Sequence, residues 1–185
     1  YREILDELGP ADVLGVSMGG FLALALARED DRVRSVTLGL AAGRLSRHGR
    51  ESLRKWDEWA HEGRWRKVYR AGLSAVTNGW RRRVATPIIH PFTRLRDHPT
   101  DVFRRSLAIA TEFDATPWLG ELSVPSLVVG GTADPFFTAT AFADTADALG
   151  CRYERLDGWG HDVLLDDGSR VDEPVARFLS RRGGA

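Results

Sequence analysis

The stretch ADVLGVSMGGFLALALA, Ala11 to Ala27, constrains this chain more than any other. A short apolar run, a serine set among glycines, and an alanine- and leucine-rich helix follow one another without a break. Gly15-Val16-Ser17-Met18-Gly19 fits Gly-x-Ser-x-Gly, a pattern that chance supplies in roughly one chain in ten of ordinary composition. The setting therefore carries more weight than the pattern. A serine on a sharp strand-to-helix turn takes a strained backbone and lifts its hydroxyl above the end of the sheet. The residues two before and two after it then nearly touch, which asks for glycine at both Gly15 and Gly19. The start of the helix also aims the Met18 N–H at the place where an oxyanion would form. A helix N-cap serine, with glycines present only for packing, is the competing reading of the same residues.

A serine hydroxyl is a poor nucleophile at neutral pH. It needs an adjacent base, and the base needs an orienting carboxylate. After such a turn the order is serine, then Asp or Glu, then His. The chain supplies this order. Asp134 lies in GGTADPF, just past an expected strand over 126–130, and His161 lies in GWGHD, just past another over 152–156. Functional loops of an open parallel sheet gather at the carboxyl ends of its strands, and all three residues fall there. Asp157, Asp162 and Asp114 are rival acids; Asp162 adjoins His161, but a neighbour along the chain usually points elsewhere. His48, His61, His90 and His98 show no metal-ligand spacing, so neither a metal nor an organic cofactor is expected.

The surrounding pattern predicts an α/β fold with a mostly parallel sheet. Residues 1–9 read as the end of a helix stopped by Gly9-Pro10. Strand 11–16, helix 18–27 and strand 35–40 make a βαβ unit, whose strands should be parallel and buried. Residues 43–117 change character: they are Arg-rich, carry Trp56, Trp59, Trp65 and Trp80, and predict helices over 47–61, 64–77 and 100–112. A break falls around Pro87, Pro91 and Pro99. Alternation then returns, with strands at 126–130 and 152–156 and helices at 137–149 and 170–181. The expected organisation is a core of residues 1–42 and 118–185 with a helical cap, or lid, at 43–117. The tryptophans, with Phe136 and Phe137, suit an apolar acyl or aromatic pocket. They suit equally the small core of the cap itself.

Bulk properties narrow the partners. The 185 residues carry 26 basic and 26 acidic side chains, for a formal net charge of zero. That balance points neither to nucleic acid nor to an anionic membrane. No apolar run approaches the roughly 18 residues a membrane span needs. The single cysteine, Cys151, excludes an internal disulfide framework and reads as a small buried hydrophobe at the start of a strand. Arg81-Arg82-Arg83 reads as a solvated face. The chain opens on Tyr1, inside a helix, which reads as the later part of a longer product. A missing signal segment therefore carries no weight, and the cytoplasm is the expected location.

GVSMGG at 15–20, GTADPF at 131–136 and GWGHD at 158–162 together resemble the α/β-hydrolase family. The resemblance spans essentially the whole chain, as the C-terminal part of that fold. It implies Ser17 as nucleophile, Asp134 as acid and His161 as base, acting on an ester or a related small acyl compound. Family members that are haloalkane dehalogenases or epoxide hydrolases carry Asp where Ser17 stands, which disfavours those activities. An acyltransferase, a C–C bond hydrolase and a cofactor-free haloperoxidase use the same triad and stay open. So do a ligand-binding protein on the same scaffold and an inactive remnant. The resemblance further implies four strands ahead of the serine turn and a second oxyanion donor from a loop among them. Only sixteen residues precede Ser17. The expectation is thus a weakened site, because one lost oxyanion donor costs on the order of 10² to 10³ in rate. An open edge beside the serine strand, prone to self-association, is expected as well.

Overall fold

In the computed structural model, which describes residues 2–77 and 100–182, four strands form one sheet. They are β1 (Ala11–Val16), β2 (Val33–Gly39), β3 (Ser126–Gly131) and β4 (Arg152–Leu156), in the order β1-β2-β3-β4. Every neighbouring pair is parallel, with Gly15 opposite Leu38, Leu38 opposite Val128 and Val128 opposite Tyr153. The expected α/β class and parallel sheet are what the structure has. Trp80, Arg81-Arg82-Arg83, His90, His98 and the prolines Pro87, Pro91 and Pro99 lie outside the described residues.

The two central strands are almost wholly buried because both faces are covered, although β2 carries Ser35 and Thr37 on one of them. Val36, Leu38 and Val128 pack with Phe21 and Leu24 of helix α2 (Met18–Glu29) and Phe142 and Ala146 of helix α6 (Ala139–Ala148). Leu127 and Val129, one residue out of phase, face the other layer. There they meet Val163 of α7 (Val163–Asp166) and Val171 and Val175 of α8 (Ser169–Ser180). The outer strands are more exposed. In β1, Asp12 and Leu14 are exposed, and among the described residues only β2 pairs with it. The first helix, α1 (Arg2–Leu8), ends at Gly9, whose φ of 76° suits a helix stop.

Among the described residues, three helices lie between β2 and β3: α3 (Arg47–His61), α4 (Trp65–Val76) and α5 (Thr100–Glu112). Their segment closes on itself at its base. The Ala115 N–H donates to the Gly43 carbonyl at 2.8 Å, and Arg44 bridges Asp114 in antiparallel fashion. Gly43 in turn donates to Thr145 Oγ1 of α6 at 2.9 Å, which ties that base to the sheet layer. Arg104 joins α5 to α3 through Asp57 at 2.7 Å. Leu53, Leu107 and Ala110 of these helices belong to the main core, so the helices are seated on it. Trp65 instead packs with Tyr69, Phe103, Ala60 and Val68 in a small core of the helices' own.

The boundaries differ from expectation for local reasons. Strand β2 begins at Val33, buried and paired with Ala11, and stops at Gly39 because Leu40 turns away with φ 52°. Helix α6 begins two residues late. Thr138 caps it by accepting the Ala141 N–H at 3.0 Å, while the N–H groups of Phe136 and Phe137 are claimed by Asp134. The short α7 was not anticipated; one turn after a GWGHD loop leaves little periodic signal. Cys151 precedes β4 and packs against the main core, where burial pushes its thiol up to about 11.

Candidate active site

Ser17 sits between β1 and α2 with φ 53° and ψ −124°, a conformation L-residues rarely adopt. Its N–H donates to the Gly39 carbonyl at 2.9 Å, and its own carbonyl accepts from Gly20 at 2.9 Å. The turn is thereby held on both sides. A Cβ at Gly15 would lie 2.4 Å from the Gly19 carbonyl oxygen, so no side chain fits at Gly15. At Gly19 the geometry departs from expectation: a Cβ there would meet nothing within 4 Å. Gly15 approaches the backbone of Gly19, not the space where its side chain would be. The crowded neighbour is Gly20, whose Cβ would lie 2.3 Å from that of Ala41. The spacing argument missed Gly20, although the doubled glycine of SMGG stands in the sequence as Gly19-Gly20.

Asp134 and His161 stand on the loops after β3 and β4, as the topology requires. These loops are joined by backbone bonds: Ala133 N–H to the Trp159 carbonyl at 2.8 Å and Thr132 N–H to the Leu156 carbonyl at 3.1 Å. The Gly158 N–H donates to Thr132 Oγ1 at 2.9 Å. A Cβ at Gly131 would fall 2.0 Å from the Trp159 carbonyl oxygen, so this close approach needs glycine. Neither Thr132 nor Gly131 was singled out from the sequence, since neither carries chemistry itself.

The three side chains form one hydrogen-bonded chain. His161 Nε2 lies 2.9 Å from Ser17 Oγ, and His161 Nδ1 bonds Asp134 Oδ2. The other carboxylate oxygen of Asp134 accepts the N–H of Phe136 at 2.8 Å and of Phe137 at 3.0 Å. The Asp134 side chain is fully buried and His161 nearly so. The imidazole is also gripped by rings, edge-on by Phe136 at 4.9 Å and stacked on Phe137 at 6.1 Å. The rival acids are engaged elsewhere: Asp157 with Arg155, Asp114 with Arg44 and Thr116, and Asp162 with the Gly160 N–H. The Met18 N–H opens α2, where first-turn N–H groups have no acceptor within the helix. Such an arrangement can transfer a proton from the hydroxyl to the imidazole while the carboxylate holds the ring.

A cavity of about 210 Å³ opens above this chain, between the sheet and the three helices. Ser17 and His161 are at its floor; Phe21, Trp56, Phe136 and Leu107 are among its walls. The two readings of the tryptophans therefore divide. Trp56 lines the cavity and meets Phe136 edge-on at 5.8 Å, whereas Trp65 serves the core of the helices. Among the described residues, no group of three His, Cys, Asp or Glu side chains is arranged to hold a metal. Among them, too, no helix is long and apolar enough to cross a membrane.

The chain belongs to the alpha/beta hydrolase family, whose model matches residues 1–177. Solved structures carry the same fold. It is similar to an alpha/beta hydrolase enzyme from a Medee basin deep-sea metagenome library, with a TM-score of 0.83 at 16% identity, over 97% of this chain and 69% of that one. It is similar to the enol-lactonase of Burkholderia xenovorans, with a TM-score of 0.80 at 25% identity, over 96% and 69% of the two chains. An esterase from Exiguobacterium antarcticum aligns with a TM-score of 0.77 at 18% identity, over 97% and 70%. A 69-residue stretch, 36% of this chain, is 42% identical to polyketide synthase ThaQ of Burkholderia thailandensis and spans 3% of that protein. Its relatives are thus hydrolase enzymes at the coarse level.

Proposed function

We propose that this chain is a serine hydrolase that cleaves an ester or related acyl substrate. The observation that carries the reading is the hydrogen-bonded series Asp134–His161–Ser17 at the floor of an apolar cavity. His161 Nε2 takes the Ser17 proton as Oγ attacks the carbonyl carbon. The Met18 N–H donates to the resulting oxyanion. Collapse of this intermediate expels the alcohol, which leaves with the proton from His161, and the acyl group stays on Ser17. His161 then deprotonates a water, whose attack frees the acid and restores the serine. Asp134 keeps the Nδ1 proton in place and stabilises the imidazolium.

The test is a panel of open-chain esters and lactones with fluorophosphonate labelling read by intact mass. A cyclic ester belongs in it because one neighbour is by name an enol-lactonase. One adduct together with acid release supports the hydrolase. A folded chain that takes no adduct and turns over nothing favours the ligand-binding or remnant reading. We propose also that the chain self-associates through β1, where Leu14 is 51% exposed on a strand with one partner among the described residues. Light scattering over a concentration series should show mass rising above the monomer. A constant monomer mass removes that proposal.

A further inference from the structure

The walls of the cavity are apolar throughout: among its described lining residues, only Ser17 and His161 offer a titratable or hydroxyl group. An apolar cavity of roughly 150 Å³ takes a benzene molecule, so this one, at about 210 Å³, accepts somewhat more. Its lining includes Gly72, Ala75 and Val76, which share one face of α4 at helical spacing. Gly72 is the residue that needs explaining. It lies inside a helix, where glycine is less favourable than alanine by about 1 kcal/mol. That helix has no side-chain cap at its start to offset the loss.

None of the usual reasons for a glycine holds at this position. Its φ is not among the positive values. A Cβ built on it would meet nothing within 4 Å among the described residues, so no close approach forbids a side chain. What the glycine leaves is open volume in the cavity it lines. We infer that Gly72 sets the depth of the substrate pocket, and so the size of the uncharged, apolar group held next to Ser17. A larger residue there would keep the fold and shorten the pocket. This inference rests on the hydrolase reading for its substrate, but not for its binding measurement.

The experiment compares the unaltered chain with Gly72→Ala and Gly72→Leu. Binding of 1-butanol and 1-octanol is followed by calorimetry, and hydrolysis of methyl butanoate and methyl decanoate by acid release. A leucine side chain fills space that would take about three methylenes of ligand, each worth about fourfold in affinity. Octanol binding should fall roughly 50-fold in Gly72→Leu while butanol binding changes by less than about threefold. The ester profile should shift the same way. Gly72→Ala should raise the melting temperature by roughly 2–4 °C with a smaller shift in chain-length preference. If Gly72→Leu fails to fold, Gly72→Ala carries the comparison, with a loss of about fourfold for octanol. Octanol selectivity that is the same in all three chains, or no octanol binding by the unaltered chain, overturns the inference. Selective binding without ester turnover sinks the hydrolase reading alone.

Discussion

Ser17→Ala should yield a chain that takes no fluorophosphonate adduct and hydrolyses esters roughly 10⁶-fold more slowly than the unaltered protein. Loss of the nucleophile in a fully equipped serine site costs on the order of 10⁶ in kcat. The fold should not change. Among the described residues, Ser17 makes one side-chain bond, to His161, and alanine keeps the same strained backbone at φ 53°. Ser17→Gly separates chemistry from strain. It also removes the hydroxyl, but glycine adopts this φ freely, so the glycine variant should melt at or above the alanine variant. An adduct persisting on Ser17→Ala, by intact mass and peptide mapping, would move the nucleophile elsewhere.

Asp134→Asn should cost about 10⁴-fold in kcat while leaving a folded chain, and the reason lies in the groups around the carboxylate. One oxygen of Asp134 accepts two backbone N–H groups, from Phe136 and Phe137. In the asparagine variant that site can hold only the amide oxygen, because an NH₂ group there would face two donors. The NH₂ must then point at His161 Nδ1, which becomes an acceptor and leaves the ring proton on Nε2. A ring protonated on Nε2 cannot take the proton from Ser17 Oγ, 2.9 Å away. The check is kcat at neutral pH alongside a melting curve. A variant with near-normal kcat would show that the carboxylate does not set the tautomer, and the roles assigned to Asp134 and His161 would have to be redrawn.

Much of the site is legible in the sequence because its reacting residues sit in short, punctuated motifs. Ser17 and Asp134 follow strands whose apolar runs are readable, His161 follows the more polar strand RYERL, and strand order places their loops on one side. What could not be read is how the loops are joined. Gly131 and Thr132 have no reactive group; their part is to let the β3 and β4 loops approach and bond, a relation between segments 26 residues apart in the Gly158–Thr132 contact. Gly19 and Gly20 show the same limit. Spacing found the close approach of Gly15 to the Gly19 backbone, but not that the second crowded position is Gly20 instead of Gly19, because Ala41 packs there.

By itself, then, the sequence determined most element types, the parallel βαβ pattern and the three residues proposed as nucleophile, base and carboxylate. These depend on periodicity and local turn geometry, which act over a few residues. Tertiary structure alone decided which tryptophan lines a pocket and which fills a core. It also decided where β2 ends, why α6 starts late and which glycine leaves room for a ligand. Those outcomes depend on how distant segments meet: Trp56 against Phe136, Leu40 beside Val129, Asp134 holding the start of the next helix, and Gly72 and Ser17 lining one cavity. Packing volume and long-range hydrogen bonds have no period along a chain, so nothing in the order of residues reports them.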